Sequence, residues 1–125
     1  MNICLDSWAV LNWLEDGPSA AAIEKTIPSR PVISLVNVCE VLYVISRKHG
    51  DRAIQQVLPA LRQNLAFIEV DEELTLSASR IKAAHKMALG DAFCVATALA
   101  NNAKILTGDP EIINAKGNWK VQDLR

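Results

Sequence analysis

The chain has 125 residues, half of them hydrophobic and 22% charged, with a net charge of −1 and a pI near 6.1. That balance excludes a disordered polymer and a uniformly basic nucleic-acid binder, and no apolar run approaches the roughly 20 residues of a membrane span. A nucleic-acid partner would therefore need a local basic patch, or metal ions, to meet its phosphates.

The length suits one domain over residues 1–125, with enough chain to bury a proper core. Cys4, Cys39 and Cys94 each lie in an apolar run, with no CxxC pair and no secretion signal. All three read as buried structural thiols of a cytoplasmic protein in a reducing setting.

Residues 1–5 form a short apolar strand that ends in Asp6-Ser7. Ser7 is a good cap for an apolar-rich helix over 8–14, and Asp16-Gly17-Pro18 stops it. Ser19 caps a small helix through Ile23, closed before Pro28 and Pro31. Val32-Ile33-Ser34 is a strand, followed by a helix over 35–49 that ends at Gly50. Apolar residues cover most of that helix's circumference, which predicts a largely buried helix. Within it sits Glu40, with Asn37 one turn earlier on the same face.

Residues 51–64 read as an amphipathic helix containing Pro59, and residues 66–70 as a strand. Asp71 caps the next helix, which runs toward His85. On it Lys82, His85 and Lys86 share one face by the i, i+3, i+4 rule, and Arg47 and Lys48 form a second basic pair. Residues 89–112 then form a helix, turn and strand, with Asp91 at the helix start and Asp109 just past the strand end. Trp119-Lys120-Val121 is a final edge strand. Short strands alternating with helices predict a three-layer α/β/α sandwich around a short, mainly parallel sheet. Such sheets bind ligands at the C-terminal ends of their strands.

Four acids stand out from the other ten: Asp6 at a strand end, Glu40 in an apolar helix, Asp91 at a helix start and Asp109 past a strand end. Each has an ordinary structural role open to it. Asp6 and Asp91 suit helix caps or first turns, Asp109-Pro110 suits a turn, and Glu40 suits a buried pair with Arg47 or a lysine. Together they form a hard, all-oxygen donor set suited to Mg²⁺ or Mn²⁺. Clustered carboxylates without a metal repel one another, and a divalent ion relieves that repulsion. With two scattered histidines, His49 and His85, and no CxxC pair, a zinc site is not expected.

The segments LDSWAVLNWL, NVCEVLY, GDAFCVATAL and ILTGDPEI, in that order and over the whole chain, resemble the PIN-domain ribonucleases. Among these the chain looks most like the small VapC-type toxins of toxin–antitoxin pairs. The resemblance implies a metal-dependent endoribonuclease that cleaves single-stranded or looped RNA at a Mg²⁺ or Mn²⁺ site. It matches Asp6, Glu40, Asp91 and Asp109 to the family's metal-binding and catalytic acids, and Asn37 and Thr107 to polar neighbours. It also implies a homodimer and a cognate antitoxin, while Lys82 and Lys86 are candidate contacts to the RNA backbone.

Two departures lie near the site: Gly90 where the family often has Ala, and Lys86 where a Gly commonly follows the histidine. The alternative reading is a non-catalytic PIN-like module that binds RNA or protein. A haloacid-dehalogenase-like phosphatase is disfavoured, because Trp8 stands where a second Asp would be needed. A receiver domain's acceptor Asp and distal Lys are also missing.

Overall fold

The computed structural model describes residues 2–125. Its sheet has five strands in the order β3-β2-β1-β4-β5, each parallel to its neighbours. These are β1 (Asn2–Leu5), β2 (Val32–Ser34), β3 (Ala66–Ile68), β4 (Ala103–Thr107) and β5 (Lys120–Asp123). The helices among the described residues are α1 (Ser7–Leu14), α2 (Ala20–Glu24), α3 (Leu35–His49), α4 (Ile54–Asn64), α5 (Glu72–Ala84), α6 (Leu89–Ala100) and α7 (Pro110–Asn114). No helix of the described residues is long and apolar enough to cross a membrane.

The period-2 alternation of strand side chains divides the interior in two. Leu5, Ile33 and Leu106 point to one face, where Val10 of α1, Ile23 of α2, Val41 of α3 and Leu61 of α4 cover them. Cys4 and Ile105 point to the other, beneath Ala78 of α5 and Val95 of α6. This is the expected three-layer sandwich. Complete burial of a Leu or Ile contributes roughly 1.5–3 kcal/mol, so residues such as Leu5, Ile105 and Leu106 hold both outer layers to the sheet.

From β1 the chain steps outward through β2 to β3. It then returns to lay β4 on the other side of β1 and β5 beyond it. The order therefore reverses between β1 and β4, where Leu5 is in register with Leu106. The next residues, Asp6 just past β1 and Thr107 at the end of β4, open onto the crevice that such a reversal creates.

Several expectations change. The cap of α1 is Asp6, whose Oδ1 accepts from the Ala9 N–H at 2.8 Å, rather than Ser7, which is the first helical residue. Ser19 makes no capping bond; its hydroxyl donates to the Leu124 carbonyl at 2.9 Å. A 3-10 turn over Asp51–Ala53 precedes α4, and Pro59 sits inside that helix.

The helix α3 is not buried all round. Leu35, Cys39 and Tyr43, spaced four apart, form an exposed stripe, so Cys39 is not a core thiol. The hydrophobic pattern of α3 is wide enough to wrap the helix, but β2, α1, α4 and α6 leave the Leu35-Cys39-Tyr43 stripe uncovered.

Candidate metal centre

Asp6 follows β1 and closes the first turn of α1 with one carboxylate oxygen. Its other oxygen accepts from the hydroxyl of Thr107, the last residue of β4. The same hydroxyl oxygen accepts from the Asp109 N–H at 2.9 Å. Asp109 caps α7, its Oδ1 accepting from the Glu111 N–H at 2.9 Å. Thr107 thus ties two acids to one strand end. Gly108, between Thr107 and Asp109, lets the Trp8 indole lie against this turn, since a Cβ there would fall 2.3 Å from the ring.

Asp91 is the third residue of α6 rather than its start, because the helix begins at Leu89 with Ala88 in the cap position. From the first turn it points at the same crevice, and one carboxylate oxygen from each of Asp91, Asp109 and Glu111 lies within 4.8 Å of the others. Asp91 is 8% exposed, and its Oδ2 is buried with no hydrogen-bond partner. Glu111 also receives the Ala88 N–H on Oε1 at 3.3 Å, so α7 reaches across to the start of α6.

Glu111 is the site residue that sequence reasoning missed. Asp109-Pro110, which suits a turn as well as a site acid, in fact opens a short helix. An Asp-Pro-Glu run at a helix start places its second acid in the first turn, and that spacing was the available signal.

Glu40 arrives from α3 along another route. Ser34 caps α3 and donates its hydroxyl to Oδ1 of Asn37 at 2.8 Å. Asn37 is buried and donates through Nδ2 to Oε1 of Glu40 at 2.7 Å and to the Gly90 carbonyl at 3.1 Å. One amide therefore holds Glu40 against the start of α6. A Cβ on Gly90 would fall 2.3 Å from Oε2 of Glu40, so the glycine makes the space that this carboxylate occupies.

No base neutralises these acids. Among the described residues the ion pairs are Lys48–Glu15 and Arg125–Asp123, both at the surface. Arg47 does not reach Glu40; its guanidinium lies over the Tyr43 ring at 5.2 Å. With Lys48 engaged by Glu15, the expected basic pair is not a free patch.

Burial raises the Asp6 carboxyl to a pKa of about 7, a rise the Thr107 and Ala9 bonds reduce and the Asp109 charge increases. Asp91 is raised to about 8, first by burial, then by carboxyl contact with Asp109 and by the charges of Asp109, Asp6 and Glu111. Mutually repelling carboxylates, without basic partners and with one orphaned buried oxygen, fit a hard divalent cation.

The predicted face of Lys82, His85 and Lys86 does not form. The helix α5 ends at Ala84, and His85 is extended, so Lys86 lies in the loop toward α6. Lys82 remains on exposed α5 surface.

A family model described as PIN domain matches residues 3–118. No curated protein matches the chain. Among solved structures, DNA-bound VapBC from Salmonella typhimurium is 13% identical with a TM-score of 0.80, over 100% of this chain and 99% of that one. VapC20 from Mycobacterium tuberculosis, a sarcin-ricin-loop-cleaving toxin, is 16% identical with a TM-score of 0.76, over 94% and 97%. FitAcB from Neisseria gonorrhoeae is 19% identical with a TM-score of 0.73, over 98% and 97%. At these identities the likeness is one of fold.

Proposed function

Because this chain belongs to the PIN-domain family, we propose that it is a metal-dependent endoribonuclease, the toxin of a toxin–antitoxin pair. The single observation that carries the metal-site reading is the convergence of Asp91, Asp109 and Glu111 around an unpartnered buried oxygen. The neighbours from toxin–antitoxin complexes support the toxin reading, with a cognate antitoxin, a homodimeric assembly and a cytoplasmic setting as its corollaries.

Asp91, Asp109 and Glu111 would hold Mg²⁺ or Mn²⁺, with Asp6 joined to them through Thr107 and Glu40 beside Gly90 at the start of α6. The chemistry a divalent ion supplies in such a site is Lewis acidity toward a phosphodiester and toward water. The chain's own part is preorganisation. Thr107 fixes Asp6 and the Asp109 backbone, and Asn37 fixes Glu40, so the carboxylates need little rearrangement to receive a charge. Without an ion, Asp91 keeps its proton near neutrality, which limits the repulsion. No nucleophilic side chain is required.

The test is cleavage of total cellular RNA by purified protein with EDTA, Mg²⁺ or Mn²⁺, beside Asp91→Asn. Discrete fragments that require metal and vanish in the variant are the expected result. Intact RNA under every metal, with no metal-induced rise in melting temperature, would sink the proposal.

A further inference from the structure

We infer that the cleft between the His85-Lys86 loop and α7 seats a nucleotide of single-stranded RNA beside the acidic cluster, an inference that rests on the nuclease reading. The cleft holds about 510 Å³ and is walled by His85 and Lys86 on one side and Pro110, Glu111, Asn114 and Ala115 on the other. That volume lies within the roughly 300–1,000 Å³ of small-ligand sites. Glu111 belongs both to this wall and to the acidic group, so the cleft and the cluster are contiguous.

The lining has the chemistry of a nucleotide. Lys86 is exposed and enters no ion pair among the described residues, which leaves an ammonium for a phosphate. The His85 ring stands 5.0 Å from that of Trp119 at 81°, a contact that fixes the imidazole plane and offers a base something to lie against. Asn114 is exposed and carries both a donor and an acceptor for a base edge. Pro110 and Ala115 add apolar lining to that wall.

Charge settles the occupant's class. A cation on one wall and a cation-binding acid on the other suit a chain with phosphates at regular intervals. One phosphate meets Lys86 while its neighbour lies at the cluster. A peptide carboxylate would meet Lys86 or a bound cation, but a peptide does not repeat its charge at a regular spacing that meets both. Base stacking combined with backbone charge is the usual means of holding single strands.

Two readouts separate this inference from the reading beneath it. The first is fluorescence anisotropy of a labelled single-stranded RNA, which needs no cleavage. The second is KM against kcat for cleavage. Lys86→Ala and Asn114→Ala should each weaken binding and raise KM roughly tenfold, with kcat within about twofold and the melting temperature unchanged. Lys86→Arg should restore both. Losing one phosphate contact should also reduce the slope of log affinity against log salt by about 0.7. Lys25→Ala, exposed after α2 and outside the cleft, should match the wild type.

If wild type binds RNA through Lys86 and Asn114 but never cleaves, the subsite stands and the nuclease reading falls. If metal-dependent cleavage proceeds with affinity and salt slope unchanged in both variants, the nuclease reading stands and the subsite is overturned. The subsite also fails if these variants lose only a protein partner.

Discussion

Oδ2 of Asp6 and the hydroxyl of Thr107 share a buried hydrogen bond across the junction of β1 and β4. It gives this carboxylate its orientation and, by favouring the ionised form, partly offsets the burial that raises its pKa. Thr107→Val keeps the shape and removes the donor. Groups that orient a metal ligand are typically worth about 10–100-fold in metal affinity or activity. Metal-dependent cleavage should fall by that amount in Thr107→Val and largely return in Thr107→Ser. Full activity in the valine variant would mean that Asp6 needs no such support.

Asp91 should trade stability against activity. A buried, unpartnered acceptor costs on the order of 1–3 kcal/mol, and repulsion from Asp109 adds to this. Asp91→Asn removes the charge while keeping the size. In EDTA the variant should melt several degrees above wild type near pH 8, while its cleavage is lost. A lower melting temperature would show that the carboxylate is a structural anchor.

The pH dependence of the ion-free protein follows from the two raised carboxyls. Asp6 near 7 and Asp91 near 8 both lie above the ordinary value of 3.8, so the folded state holds these protons more tightly than the unfolded chain. Their stabilisation is complete below about pH 4 and is lost as pH rises through the folded values. Melting in EDTA should therefore drop between pH 5 and 8.5, with a shallower slope in Asp91→Asn. A wild-type profile that is flat or rising over that window would contradict the assignment.

Added Mg²⁺ or Mn²⁺ should reverse the alkaline loss. An ion at 100 times its dissociation constant stabilises by about 2.7 kcal/mol if it binds only the folded state. The shift in melting temperature should shrink in Glu111→Gln and disappear in an Asp6→Asn, Asp91→Asn double variant. An equal shift in the double variant would mark a non-specific salt effect.

Gly90 tests Glu40. The Cβ of Gly90→Ala would meet a flexible carboxylate rather than backbone, so folding should change little. Glu40 must move, however, and a displacement of about 1 Å at a reacting centre can cost as much as 100-fold. Melting within about a degree of wild type, with cleavage reduced tenfold or more, is expected. Equal loss of both would place the glycine's role in packing.

The fold was legible because its strands are short, β-branched and punctuated, and because helices alternate with them. Asp6, Glu40, Asp91 and Asp109 stand out as candidates for a related reason: a carboxylate is conspicuous at a strand end, at the start of an apolar helix or within one. The failures have local causes. Capping rules do not choose between adjacent Asp6 and Ser7, and the register of α1 chose Asp6.

Periodicity carried α5 past its real end at Ala84, which placed Lys82 with Lys86 on a face that does not exist. An apolar pattern reports that a face of α3 prefers burial, not whether this chain covers it, and so misplaced Cys39. Glu111 is hidden because Asp-Pro suits a turn as readily as a helix start, and only the helix puts the glutamate in a first turn beside Asp109.

Thr107 and Asp6 are 101 positions apart, and β1, the first strand made, is the central one that must wait for β4 before its second edge is paired. Asn37 can hold Glu40 against the start of α6 as soon as that helix is made, but Asp109 and Glu111 come only after β4. Loop closure over such separations is slow and cannot precede the arrival of both ends. A chain that stops before β4 therefore carries Asp6, Glu40 and Asp91 without the Asp109 and Glu111 carboxylates that complete the cluster. On this topology the acidic cluster forms only once β4 and α7 have been made and β4 has paired with β1.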